Sequence, residues 1–288
     1  MKRKIVGIFV CMLLTATVVS ATNFNKKNNI QTAVSTVDVP EWEVGDSWTY
    51  NEMYNQTWYD KNGDIFFQWY HNCTNTYTVT AEIGDTYTVE VISSNDEGSL
   101  RYGSYRLKFT PSVKFIETFE CRKTDLAYIR YAHQEKGFAS LSYGKIGLSI
   151  PAQYYDIWEA SFAPGLVYLP FPFTAGSNGI IPICAEDGHE NMGLYWGLIN
   201  FIYTDFHFFF LPLNYTCEMA EITVPAGTYN AYNVSTDIYF GSSHNYTRIY
   251  YVPEVGYYVK YIDHKDSRDP GKPTEDYKYE LVSTTYKP

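Results

Sequence analysis

From Tyr232 to Phe240 the chain alternates: Tyr232, Val234, Thr236, Ile238 and Phe240 fall on one parity, and Asn233, Ser235 and Asp237 on the other. Side chains of a strand point to its two faces in turn, so a period of two commits this segment to a strand with one buried and one wet face. Two turns of matching chemistry flank it, Val224-Pro225-Ala226-Gly227 and Val252-Pro253-Glu254-Val255-Gly256. Each proline sets φ for a turn, and each glycine can take the left-handed corner that closes it. Residues Glu221 to Ile262 therefore read as a meander of antiparallel strands.

The same period recurs along the chain. Tyr77, Val79 and Ala81 alternate with Thr, Ile83-Gly84-Asp85 makes a turn, and Tyr87, Val89 and Val91 alternate with Thr88 and Glu90, which together form a hairpin. Short aromatic or alternating runs also occur at Ile65 to Tyr70, at Tyr105, Leu107 and Phe109, at Tyr257, Val259 and Tyr261, and at Tyr277, Tyr279 and Leu281. No comparably long 3.6-residue pattern appears. The expected class is all-β and antiparallel, since strands of a parallel sheet, buried on both faces, would show continuous apolar runs. Residues 40–288 are read as a single β domain, whether a large curved sheet, an open barrel or a sandwich. The 29 tyrosines suit cross-strand packing on a surface with one dry and one wet edge.

The segment from Ala160 to Asn214 departs from the alternation. Pro164 to Phe173 is apolar but broken by prolines, and Leu194 to Leu213 is strongly aromatic. It reads as an irregular insert, either plugging the sheet or lying over an apolar cavity, and Phe173, Trp196, Phe208 and Phe210 are its candidate ligand-lining residues.

At the N-terminus Lys2, Arg3 and Lys4 precede an apolar run from Ile5 to Val19, with small residues at Val19-Ser20-Ala21. This is the pattern of a signal peptide over residues 1–21, and the polar stretch 22–39 reads as a flexible spacer. The expected location is therefore secreted or at the extracytoplasmic cell surface, with no other membrane-spanning segment. Removing residues 1–21 takes away three positive charges and no acid, which moves the formal charge from −10 to −13. Phosphate binding needs a basic footprint, so nucleic acid is not an expected partner.

An exported chain with four remaining cysteines, Cys73, Cys121, Cys184 and Cys217, suggests two disulfides, and pairing in chain order is the expectation. Asn55, Asn72, Asn214, Asn233 and Asn245 each begin an N-x-[ST] acceptor site for glycosylation.

The opening Trp42-Glu43-Val44-Gly45-Asp46-Ser47-Trp48, the turn Val224-Pro225-Ala226-Gly227-Thr228-Tyr229 and the run Tyr250-Tyr251-Val252-Pro253-Glu254-Val255-Gly256-Tyr257 resemble secreted bacterial and archaeal proteins related to the lipoprotein-localisation-factor half-barrels. The resemblance covers the last third of the chain and its first strand. It implies a strongly curved antiparallel sheet, a half-barrel or open barrel, whose concave face holds an acyl chain.

No catalytic motif is found: there is no GxSxG elbow, Gly-rich phosphate loop or HExxH. Glu186-Asp187-Gly188-His189-Glu190 reads as a solvated loop, and no metal or cofactor is expected. The expected function is a non-enzymatic exported protein that binds an apolar or amphiphilic ligand, such as a lipid, on the concave face. The alternative is a structural or adhesive surface glycoprotein with a fully packed sheet and protein partners.

Overall fold

The computed structural model describes residues 36–60, 62–103, 105–109, 114–143, 149–194, 199–240, 243–266 and 273–288. The signal segment 1–21, the spacer up to residue 35 and Trp196 lie outside the described residues. The chain forms β1 (Thr36–Val37), β2 (Ser47–Tyr59), β3 (Ile65–Ile83), β4 (Thr86–Tyr102), β5 (Tyr105–Phe109) and β6 (Lys114–Arg122). It continues through β7 (Tyr128–Tyr143), β8 (Ser149–Leu166), β9 (Phe173–Thr174), β10 (Asn178–Ile181), β11 (Cys184–Leu194) and β12 (Ile199–Phe210). The last third holds β13 (Leu213–Val224), β14 (Gly227–Phe240), β15 (Ser243–Val252), β16 (Tyr257–Lys265) and β17 (Pro273–Thr284).

Fifteen strands make one antiparallel sheet in the order β10-β13-β14-β15-β16-β17-β2-β3-β4-β5-β7-β8-β11-β12, with β6 paired to β4 and β7. The fold is thus the all-β, open antiparallel sheet that the alternation implied. Among the described residues it does not close, and β10 and β12 are its edges. The last strand, β17, pairs with β2, so the first and last thirds of the domain are joined by one ladder.

The turns follow from their residues. Gly84 takes φ 62° in the two-residue connection that pairs Ile83 with Thr86. Pro253–Val255 forms a single 3-10 turn that ends at Gly256 with φ 70°. A Cβ on Gly256 would also meet the Tyr286 ring, so glycine is required there for conformation and for space.

Along six strands the buried parity changes character at one level of the sheet. Trp48 and Tyr50 give way to Glu52 and Gln56 on β2, Val79 and Tyr77 to Asn75 on β3, and Val89 and Val91 to Ser93 on β4. Phe119 on β6 gives way to the half-buried Glu117, while Glu135 on β7 and Asp156 on β8 continue the polar level. One end of the inner face is therefore an apolar, aromatic core containing Trp42, Trp48, Tyr50, Tyr87 and Tyr257. Beyond that level the same face of these six strands is polar, while separate apolar clusters form around Val234 and Tyr251 and around Ala160 and Phe162.

Three expectations change. The segment 160–214 is mostly regular: it supplies the end of β8 and all of β9 to β12, and only short stretches such as Val167–Pro172 are irregular. The supposed loop Glu186–Glu190 is the middle of β11, paired on both sides, with Gly188 opposite Ala160 and Phe206. Glu186 is buried while Asp187 is exposed, so the alternation exists, but both faces carry polar residues and hydropathy does not reveal it. Gly188 is forced, because a Cβ there would overlap the Phe206 ring and the Glu159 carbonyl. At the other end, Thr36 and Val37 of the spacer pair with Thr174 and Phe173, and Val37 is buried.

Candidate functional site

The polar part of the inner face is built by register. Glu117 on β6 lies opposite His133 on β7, His133 opposite Trp158 on β8, and Trp158 opposite Glu190 on β11. One step along the strands, Glu135 on β7 lies opposite Asp156 on β8. Residues two apart along a strand, and residues directly opposite on paired strands, share a face, so these side chains converge from four neighbouring strands.

Glu117 is held from two sides. Tyr131 donates to its Oε1 at 2.5 Å, and His133 Nδ1 donates to the same oxygen at 3.1 Å. His133 Nε2 lies 3.9 Å from Glu135 Oε2, an ion-pair separation too long for a hydrogen bond. Asp156 is only 6% exposed, and its Oδ1 is buried with no hydrogen-bond partner. Burial pushes the Asp156 carboxyl up to about 7; His133 opposes that rise, while Glu190 and Glu135 add to it. Burial acts to deprotonate His133, but Glu117 and Glu135 outweigh it and push the ring up to about 10.

A neighbouring group is centred on Glu52. Its Oε1 accepts from Tyr277 at 2.9 Å, and its Oε2 accepts from the Asn75 carboxamide. Cys73 Sγ donates to Asn75 Oδ1 at 3.3 Å. Burial raises the Glu52 carboxyl, Glu117 raises it further, and His71, Tyr277 and Asn75 act against the rise. The carboxylates of this face thus stand in low-dielectric surroundings among tyrosines, where ionisation is costly.

The four residues expected to line a ligand cavity are not brought together. Phe173 is buried against Phe171, Tyr232 and Tyr251, with ring centroids 5.1, 5.9 and 5.8 Å away. Phe208 is half-buried on β12, stacked on Phe206 at 5.3 Å, and Phe210 is exposed at the end of that strand. Trp196 lies outside the described residues.

The expected disulfides are absent: none of Cys73, Cys121, Cys184 and Cys217 is bridged, and all four are buried. Chain-order pairing fails on register for the first pair. Cys121 is opposite Tyr87 on β4, whereas Cys73 sits between Asn72 and Thr74, which face Glu97 and Ser94 on that strand. Seven or more residues along β4 correspond to roughly 23 Å, and a bridge needs Cα atoms within about 7 Å. Cys184 packs with Ala160 and Phe162, while Cys217 packs with Val37 and Leu169 in a different cluster. Burial pushes the Cys121 thiol up to about 12 and the Cys217 thiol up to about 11, so both behave as small apolar groups.

Of the glycosylation sites, Asn72 and Asn214 are exposed, and Asn55, Asn233 and Asn245 are half-buried. The Asn55 carboxamide oxygen is buried without a partner, and Ser235 Oγ donates to Asn233 Oδ1 at 3.0 Å.

The sequence reading missed Glu117, His133, Glu135 and Asp156. A signal was present: Glu117, Phe119 and Cys121 share one parity, as do Tyr131, His133 and Glu135, and Asp156, Trp158, Ala160 and Phe162. Following each buried parity past its last apolar residue leads onto the polar face.

No family model matches the chain, and no curated protein matches it by sequence. Among solved structures it is similar to the translocator domain of autotransporter NalP from Neisseria meningitidis, at 9% identity and a TM-score of 0.40, covering 83% of this chain and 88% of that one. Likeness at that level bears on neither mechanism nor partners. Among the described residues no helix is long and apolar enough to cross a membrane, which says nothing of spanning by strands.

Proposed function

We propose that the protein is an exported, non-enzymatic surface scaffold that assembles through the open edge of its sheet. The observation that carries this reading is β12. It is a twelve-residue strand with one hydrogen-bonded neighbour among the described residues, so its outer row of N–H and C=O groups has no ladder partner among them. Tyr203 is 71% exposed and Phe209 63% exposed on this same edge, with Phe210 and Leu211 beside them. A long aromatic edge is a template for adding another strand, and Ile202–Phe210 runs in unbroken register with β11 beyond the one shift of that ladder, between Met192 and Gly193. The filled aromatic end of the inner face supports a structural role, and the exposed Asn72 and Asn214 offer places for glycans.

Light-scattering mass measurement on the purified protein at about 50 μM tests the reading. Wild type should exceed the monomer mass, and Phe209→Lys with Tyr203→Lys should return it to the monomer. A wild type that is monomeric throughout that range, and unchanged by the substitutions, rules out assembly by this edge.

A carrier of an amphiphilic ligand is the second reading, favoured by a depression of ≈ 310 Å³ in which Val167, Pro170, Phe171, Ile180, Pro182 and Tyr215 stand beside the carboxylate of Asp125. That volume is at the lower end of small-molecule sites. An acyl fluorophore should then brighten on mixing and lose that gain in Ile180→Glu. No gain in wild type excludes the carrier.

A further inference from the structure

We propose that His133, Glu135 and Asp156 form a binding site for a divalent first-row transition-metal ion, with zinc as its representative. One ligand atom from each of the three lies within 4.8 Å of the others. Nitrogen and carboxylate oxygen donors in this number suit zinc, manganese or cobalt(II), whereas calcium and magnesium favour all-oxygen shells.

Three independent features distinguish this group from an ordinary buried ion cluster. Asp156 Oδ1 is buried and accepts no hydrogen bond, although an unsatisfied carboxylate oxygen in such a place is costly. A bound cation supplies the missing partner. The second feature is the orientation of His133. Glu117 takes the Nδ1 proton, and Nε2, which gives up its own proton when an ion binds, is the nitrogen that lies towards Glu135. A carboxylate on the far nitrogen is the usual support of a metal-bound imidazole, because it fixes the ring and makes the ligating nitrogen more basic. Glu117 is in turn fixed by Tyr131, so the support is itself supported. Spacing is the third. A cation about 2.1 Å from each donor holds tetrahedral ligands roughly 3.4 Å apart, and His133 Nε2 and Glu135 Oε2 are at 3.9 Å, within a small side-chain adjustment of that edge.

The Glu52, His71 and Cys73 group has a similar composition and lies nearby. Its carboxylate oxygens already accept from Tyr277 and Asn75, and Cys73 donates to Asn75, so nothing in that group asks for a cation. The contrast with Asp156 selects the His133 site.

The ligands come from the paired strands β7 and β8, and Glu135 and Asp156 are direct cross-strand partners. The ion would therefore pin the β7–β8 ladder in the interior of the domain, where its binding adds to folding stability. The inference is independent of assembly through β12.

The test starts from full-length protein dialysed against EDTA and then titrated with ZnCl2 or CoCl2. Zinc near 100-fold above its dissociation constant should raise Tm by about 5 °C or more, and cobalt(II) should show visible d–d bands. Asp156→Asn keeps the side-chain shape and removes a buried charge, so it should fold at least as well without metal yet lose the Tm shift and the bands. Glu135→Gln should weaken binding at least tenfold as a second ligand variant. Glu117→Gln should weaken it about 10–100-fold by releasing the ring. If wild type shows neither shift nor bands, the site does not bind metal. If binding persists unchanged in Asp156→Asn, the ion sits on exposed histidine–aspartate pairs such as His189–Asp205 or His207–Asp187, and the proposal is equally overturned.

Discussion

Replacing Trp48 by alanine should lower the unfolding free energy by about 3–5 kcal/mol, the range for deleting a fully buried large aromatic side chain. Trp48 is 1% exposed and sits at the centre of the aromatic end of the core. Its ring lies 5.0 Å from Trp42, 5.5 Å from Tyr257 and 6.0 Å from Tyr286. Its indole Nε1 donates to the Val255 carbonyl at 2.7 Å, and Trp42 Nε1 makes the parallel bond to Gly256 at 2.9 Å. The two tryptophans of the first segment thus clamp the turn between β15 and β16, more than two hundred residues away in sequence. Alanine removes the ring and leaves the Val255 carbonyl without that donor. Phenylalanine keeps most of the area and loses the bond, so Trp48→Phe should cost only about 1–2 kcal/mol. Tyr239, with a ring mostly in solvent, sets the baseline, and its change to alanine should stay within about 0.5 kcal/mol. Urea unfolding of the three variants checks the order. A Trp48→Ala cost no larger than that of Tyr239→Ala would mean that this cluster does not hold the first and last thirds of the domain together.

The clamp shows why some of this fold can be read directly from the chain. Trp48 and Tyr50 stand on the parity of an apolar strand, and Pro253 with Gly256 marks the turn they bind, so both halves carry local signals. The hairpin from Tyr77 to Val91 and the meander from Glu221 are legible for the same reason: apolar alternation and turn residues agree. The signal fails where the buried parity itself becomes polar. Strand β3 runs unbroken from Ile65 to Ile83, yet His71 and Asn75 interrupt its hydropathy and make it read as two short pieces. Strand β11 fails more completely, because Glu186 and Glu190 stand on the inward parity that usually marks a core, and Asp187 and His189 stand on the other. The site escapes for a further reason. Glu117, His133 and Asp156 meet only through the pairings of β6 with β7 and β7 with β8, and register is a property of the assembled sheet. The cysteines show the opposite error. Their even number in an exported-looking chain suggested bridges, while the sheet places each one as a small buried side chain.

A polar inner face also fixes how stability should respond to pH. Glu186 is 5% exposed, and burial alone pushes its carboxyl up to about 7. Glu52 is raised as well, by burial first and by Glu117 second. In the unfolded chain both titrate near the ordinary carboxylate value of about 4.3. Between that value and pH 7 the folded protein therefore binds more protons than the unfolded chain, and stability must fall as pH rises through this window. The contribution is fully present below the unfolded pKa and lost above the folded one. The groups around Glu186 do not reverse the sign: β8 and β12 present Phe162 and Phe208 opposite it, and Cys184 and Tyr168 add no positive charge. Carboxylates held below their usual range, Glu280 by Lys260 and Lys278 against the opposing effect of burial, and Asp237 likewise by Arg248 and His244, lose their contribution only in more acidic solution. A shift of this size corresponds to about 3 kcal/mol for Glu186, which for a domain of this length is about 5–10 °C in Tm. The melting temperature should accordingly be higher at pH 5 than at pH 8. Glu186→Gln removes the ionisation while keeping the shape, so it should raise Tm at pH 8 clearly more than at pH 5, where the unfolded chain alone ionises this carboxyl, and flatten the profile between them. A Tm that climbs from pH 5 to pH 8, or a Glu186→Gln profile parallel to wild type, would show that water reaches this carboxylate and that the inner face is not packed around it.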